Sequence, residues 1–427
     1  MMKKIFIKAL TWNSSAIFLY KVALLSHQIT LYSAIPHTLY GLQSTLFALI
    51  YTIIAVTNFG FEETLLPFFP TFIQSKQQFY QIWLHFIWHS ITIAVIAFIF
   101  YYTLLHGSGE FLHNIQLYCN RNIILLCSLL FFVESIKKTI IAMMQLAFLN
   151  KQIAYANLSM LFIYIATIWT MFNIFGQLTL YNIFIPMLIF STLELWYVLS
   201  QMMQFYHSLQ TISATTPQIP FNLVAKQRIY NYINQIVKTI YSPNCITLFF
   251  AYVLGFQQAA TIKFFSNIIT LCYTCISKTI GVTTGAALST MNNLPLSALQ
   301  SFFKEVTHRY FQFLYLLSCI LMIIVGYAYH NSAITGIMAW QIIIFFSISL
   351  LENLSITYEQ LFISQHAAKT LALINVLGFG FLAVCGCFYY LYSFHSMMLL
   401  WVGIIIKLTS LLILNTLAYK RWGIAIK

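Results

Sequence analysis

Apolar runs of about twenty residues recur along almost the whole chain with short connections between them. That recurrence limits the fold more than any single motif does. A helix needs roughly 20 apolar residues to cross a hydrocarbon layer of about 30 Å, and only helices or closed barrels satisfy their backbone there. Such runs fall at about 9–31, 41–67, 82–105, 122–148, 153–174, 179–205, 230–253, 257–287, 309–330, 335–363, 370–391 and 394–419. The fold class is therefore an all-α polytopic membrane protein of about twelve transmembrane helices. Composition agrees: 60% of the 427 residues are hydrophobic and 7% are charged, against about 25% charged in soluble domains. The N-terminal run superficially resembles a signal peptide, but Lys8 and Lys21 interrupt it and no small-residue cleavage site follows. It reads as a retained first span.

The longest connection, near 206–229, carries "QTISATTPQIPFNLVAKQR", whose Thr, Ser and Pro content reads as a linker. It divides the chain into an N-lobe at 1–207, a cytoplasmic linker at 208–229 and a C-lobe at 230–427, with six helices in each lobe. The halves look duplicated. Gly41 and Gln43 align with Gly255 and Gln257, and Glu134, Lys151 and Asn157 align with Glu352, Lys369 and Asn375. Repeats with an even number of helices run parallel, related by an axis along the membrane normal.

Charge gives the orientation. The chain holds 21 Lys plus Arg against 8 acids, all of them Glu. With both termini on one side, that side collects Lys3, Lys4, Lys8, Lys76, Lys151, Lys226, Arg228, Lys304, Arg309, Lys369, Lys420, Arg421 and Lys427. The other side holds only Arg121. Cytoplasmic loops collect Lys and Arg, so both termini are expected in the cytoplasm. The basic excess is thus a matter of topology and cargo rather than of nucleic-acid binding.

Ionisable residues inside spans are costly, and functional by default. The eighth run, "TIKFFSNIITLCYTCISKTIG" at 261–281, keeps two lysines. At about 100° per residue, Lys263, Asn267, Thr270, Thr274 and Lys278 share an arc of roughly 80°. They form a stripe about 22 Å long. Lys21 and Lys407 fall near mid-depth in the first and last spans. With Lys263, Asn267 and Lys278 they are the candidate substrate-binding residues, lining a cavity that attracts anions. Lys238 lies in the seventh span. In "FFVESIKKTIIAMMQ", Glu134 stands one turn before Lys137 and Lys138, which predicts an intrahelical pair. Glu194 looks alone in the sixth span, and Glu352 and Glu359 share a face of the tenth. These four glutamates are candidates for ion or proton coupling. Glu62 and Glu63 read as interfacial.

No P-loop, HExxH, GxSxG or zinc spacing occurs. The pair Cys272 and Cys275 lies inside an apolar helix and reads as packing. No cofactor, metal centre or catalytic residue is expected, nor enzyme activity.

Gly41 opening the second helix, "NFGFEETLLPFF" closing it and "VESIKKTIIAMMQLAFLNKQIAYANL" at 133–158 resemble the multidrug/oligosaccharidyl-lipid/polysaccharide (MOP) exporter superfamily. Within it the chain is most similar to the polysaccharide (O-antigen-type) flippases. The resemblance implies two rocking lobes with alternating access in a bacterial cytoplasmic membrane. It also implies a polyprenyl-diphosphate-linked oligosaccharide, or another anionic amphiphile, as cargo, with cationic cavity residues on the diphosphate. Coupling would be to H+ or Na+. The chain departs by having no Asp, and by carrying Lys21 where drug/cation antiporters of the superfamily use a buried N-lobe acid. An ion-coupled small-molecule or multidrug exporter of the same fold is the alternative. A multi-pass glycosyltransferase, polymerase or ligase would need a larger outer loop than 106–121.

Overall fold

The computed structural model describes residues 2–72, 76–209, 221–240, 242–257, 295–330, 336–392 and 397–424, with 260, 263–264, 267, 284–285 and 287–289 between them. The described residues are helical, with no strand among them. In chain order the helices are α1 (Met2–Ala34), α2 (His37–Thr57), α3 (Phe61–Phe72), α4 (Lys76–His106), α5 (Glu110–Tyr118), α6 (Arg121–Leu146) and α7 (Asn150–Phe175). There follow α8 (Leu180–Ser208), α9 (Phe221–Ile240), α10 (Pro243–Leu254), α11 (Leu296–His330), α12 (Gly336–Ser364), α13 (Ala368–Tyr392) and α14 (Met397–Trp422). Among the described residues, six helices are long and apolar enough to cross a membrane by length and composition.

The termini follow local chemistry. The Asn120 side chain accepts from the Ile123 amide at 3.1 Å to start α6. Ser242 caps α10 through the Cys245 amide, with Pro243 at the first helical position, where its missing N–H costs nothing. Two expected continuous spans are broken. The second ends as α2 and resumes as α3 after Asn58, because Phe59 and Gly60 take positive φ of 49° and 67°. The seventh is divided into α9 and α10 by the Ser242–Pro243 start. Residues 221–229, which the sequence placed in the linker, form the first turns of α9.

α1, α2, α4, α6, α7 and α8 pack on one another, as do α9 and α11 to α14. The two groups meet where α2 lies on α9 and α10, and where α3 lies on α9 and α12. Both ends of this seam are tight. At one end a Cβ on Gly41 would overlap the Phe256 carbonyl, so the two glycine-marked repeat positions, Gly41 and Gly255, converge. At the other, a Cβ on Gly60 would lie 2.6 Å from the Tyr232 amide nitrogen and 2.7 Å from the Arg228 carbonyl oxygen. One buried apolar cluster crosses the seam there, joining Phe61, Leu65 and Phe68 to Tyr358, Leu361 and Phe362. Outward surfaces are apolar, with Trp88, Phe98 and Trp196 exposed, as a chain bathed in lipid tails requires.

A Gly60→Ala variant combines a positive φ with a collision against the α9 backbone, and should cost about 1–3 kcal/mol. Thermal unfolding in detergent should show a clear loss for Gly60→Ala. Little change is expected for Gly109→Ala, where a Cβ meets open space.

Candidate functional site

The charges inside the bundle fall into three groups. The first lies between α6 and α8. Lys137 Nζ stands 2.5 Å from Glu134 Oε1 and 2.8 Å from Glu194 Oε2, and Ser191 Oγ donates to Glu134 Oε1 at 2.6 Å. Glu134 and Glu194 are 7% exposed. Tyr20 on α1 is within electrostatic reach of all three charges. Two carboxylates on one ammonium leave one formal negative charge, which a proton or a cation can neutralise. The predicted Glu134–Lys137 pair is present. Glu194 is not alone, because α8 places it on Lys137, 57 residues away in sequence. Lys138 points elsewhere, to Glu62 Oε1 on α3 at 3.5 Å.

The second group joins α9, α12 and α14. Lys238 pairs with Glu359, and Ser355 Oγ donates to Glu359 Oε1 at 3.0 Å. Lys407 acts electrostatically on Glu359, and Glu352 and Glu63 act on Lys238. Lys407, expected beside Lys21 and Lys263, is thus placed among carboxylates. Glu62 and Glu63, expected at the membrane interface, instead face Lys138 and Lys238. The α2–α3 break aims α3 at the seam and brings them there.

The third group is cationic. Lys263 Nζ donates to Asn244 Oδ1 at 2.8 Å, and Lys21 on α1 lies near enough to repel it. Next to them Asn267 donates to Gln28 of α1, and Phe264 stacks on Tyr32 with centroids 4.8 Å apart. Lys21 and Lys263 therefore bring like charges together from opposite sides of the seam. Lys278, Thr270, Thr274 and the Cys272–Cys275 pair lie outside the described residues.

Sequence reading missed a polar face on α9. Gln227, Asn231, Asn234 and Gln235 are buried. Asn231 Nδ2 donates to Thr64 Oγ1 at 3.2 Å, and Asn375 Nδ2 to Asn234 Oδ1 at 3.0 Å. Asn231 Oδ1, Asn234 Nδ2, Gln235 Oε1 and Gln227 Nε2 have no protein partner. A buried polar atom left unpaired costs about 1–3 kcal/mol. A cavity of about 110 Å³ adjoins this face, lined by Phe61, Thr64, His85, Arg228 and their apolar neighbours. Arg228 Nε donates to the Phe59 carbonyl at 3.1 Å and its guanidinium lies over the Phe61 ring. The signal was present as Gln and Asn at helical spacing, but it lay across the assigned linker boundary. Outside the spans, burial pushes the Cys119 thiol up to about 12, so it is inert.

No family profile and no curated relative matches this chain by sequence. Solved structures do match it. An outward-facing multidrug resistance MATE family transporter of the MOP superfamily aligns with a TM-score of 0.71 and 11% identity, over 99% of this chain and 96% of that one. A MOP superfamily transporter from Pyrococcus furiosus, described as having a binding pocket of reversed polarity that suggests a different function, aligns at 0.68 and 11%. Coverage there is 97% of this chain and 96% of that one. The MATE multidrug transporter DinF-BH aligns at 0.68 and 10%, over 98% of this chain and 95% of that one. What the likeness shows is the fold, an all-helical membrane architecture like that of the MATE transporters of the MOP superfamily.

Removing Lys137 would leave two carboxylates buried together. Breaking such a group costs about 3–5 kcal/mol, whereas replacing all its members with neutral groups is far milder. Lys137→Met should therefore unfold at markedly lower temperature than wild type. The triple variant Glu134→Gln, Lys137→Met, Glu194→Gln should recover most of the loss.

Proposed function

We propose that this chain is an alternating-access membrane exporter whose cargo is an amphiphile with an anionic group. The observation that carries this reading is the Lys21–Lys263 pair, which sets one cation from each side of the seam against the other. Like charges resist closure of an empty site. An anion between them turns repulsion into attraction, so cargo binds the closed arrangement more tightly than the open one and shifts the population toward it. The lobes at 1–207 and 230–427 would rock about the segment between them, with Asn267 and Lys278 extending the polar lining. Glu134 and Glu194, with one carboxylate in excess of Lys137, are coupling groups for H+ or Na+. Glu352 and Glu359 form the second coupling set. The distribution of basic residues supports both termini in the cytoplasm, and the resemblance to polysaccharide flippases implies a bacterial inner membrane.

Export of a small molecule is the primary reading, because two proteins of similar fold are described as multidrug transporters. The approach of two lysines from opposite sides of the seam favours an anionic cargo over a cationic one. A second reading has the same specific support: a diphosphate carries enough negative charge to bridge Lys21 and Lys263. That makes a polyprenyl-diphosphate-linked oligosaccharide, flipped between leaflets, the cargo to test beside small organic anions.

The test is reconstitution in liposomes with two fluorescent probes, a polyprenyl-diphosphate oligosaccharide and an amphiphilic organic anion. Protein-dependent movement of either should fall at least tenfold in Lys21→Ala/Lys263→Ala, equivalent to about 1.4 kcal/mol, and persist in Lys263→Arg. Undiminished movement in the double variant would remove the pair from the mechanism. Movement of neither probe, with transport of an organic cation instead, would overturn the reading.

A further inference from the structure

We propose that the polar face of α9 is a hydrated track that carries protons from the terminus-bearing end of the bundle to Glu359. The inference extends the coupling role proposed above to a route, and rests on that reading only for its consequence in transport. At about 100° per residue, Gln227, Asn231, Asn234 and Lys238 fall within an arc of roughly 60°, with Gln235 beside it. They run along about 16 Å of helix. Asn231 is 0% exposed, Asn234 3%, Gln227 5% and Gln235 8%, so the face is covered by α3 and α13 rather than open to lipid.

The atoms left without a protein partner are two oxygens, on Asn231 and Gln235, and two N–H groups, on Gln227 and Asn234. A metal ion would need oxygens only. Water donates and accepts, and so satisfies all four. The entrance is the cavity between α3, α4 and α9, about 110 Å³ in volume, room for a few waters at about 30 Å³ each. Thr64 lines that cavity and also accepts from Asn231, so the cavity and the polar face meet at Thr64.

The far end is the Lys238–Glu359 pair. Glu359 is faced by Lys238 from α9, Lys407 from α14 and Ser355 of its own helix, and Lys238 is faced in turn by Glu63 of α3 and Glu352 of α12. A hydronium ion at the end of the track gives its proton to the Glu359 carboxylate, leaving a carboxylic acid and a water. Lys238 keeps its charge and loses its counter-ion. Its next carboxylate is Glu63, on the other side of the seam.

Infrared difference spectroscopy of the full chain in lipid films tests this without any cargo. An acid-minus-neutral spectrum should contain a carboxylic-acid carbonyl band that Glu359→Gln removes. That band should shift promptly on exchange into D2O. Filling the track with apolar side chains in Asn231→Leu/Asn234→Leu should slow the shift at least tenfold, whereas Asn231→Ser/Asn234→Ser should keep it fast. Gln235→Leu alone provides a milder block if the leucine pair fails to fold. A shift as fast in the leucine variants as in wild type would overturn the track, as would the lack of any titrating band that Glu359→Gln removes. Because no cargo enters, a failed liposome assay and a failed exchange assay are distinguishable.

Discussion

Hydrocarbon offers no partner to a charge, so an ionisable side chain on these helices must find one on another helix or face water. That constraint organises the interior. Lys137 ties α6 to Glu194 of α8, Lys138 ties α6 to Glu62 of α3, and Lys238 ties α9 to Glu359 of α12. Desolvation offsets most of the Coulombic gain of such pairs, while breaking one strands a buried charge. They therefore act as conditions on which helices face one another. The apolar contacts around them, Phe79 and Ile140 in one group and Tyr358 and Leu371 in the other, fill the space so defined.

The two halves that align in the sequence differ in where they place their charges. The packing of α6 on α8 corresponds to that of α12 on α14. In the first, the cation is on α6 and its partner acid on α8. In the second, the acid is on α12 and Lys407 on α14. At the repeat offset of 218, Glu134 matches Glu352, but Lys137 matches Ser355. The missing ammonium is supplied from α9 by Lys238. The first group keeps one carboxylate in excess, whereas in the second Lys238 and Lys407 balance Glu352 and Glu359 within the lobe and Glu63 is added from across the seam.

The spans were legible because hydropathy acts over twenty residues at a time, and α4, α7 and α8 stand close to where the apolar runs place them. The Glu134–Lys137 pair was legible because it is local. What was not legible depended on distant partners or on a few backbone angles. Glu194 could not be matched to Lys137 without knowing that α8 lies on α6. The α2–α3 break rests on positive φ at Phe59 and Gly60, and an apolar window averages over it. The Ser242–Pro243 helix start was visible as a cap followed by Pro, yet it lay inside an apolar run. The polar face of α9 was obscured because a boundary drawn by hydropathy cut it at residue 229.

In an alternating-access exporter the seam between α1–α8 and α9–α14 opens at one end as it closes at the other. Spin-label distances measure this directly in a cysteine-depleted chain. One pair would sit at Phe175 and Tyr329, at the end away from the termini. The other would sit at Ser208 and Lys420, at the end that carries them. On acidification or addition of an amphiphilic anion, the account predicts that the two distances change in opposite directions. Distances that stay fixed under both conditions, or that lengthen and shorten together, would contradict it.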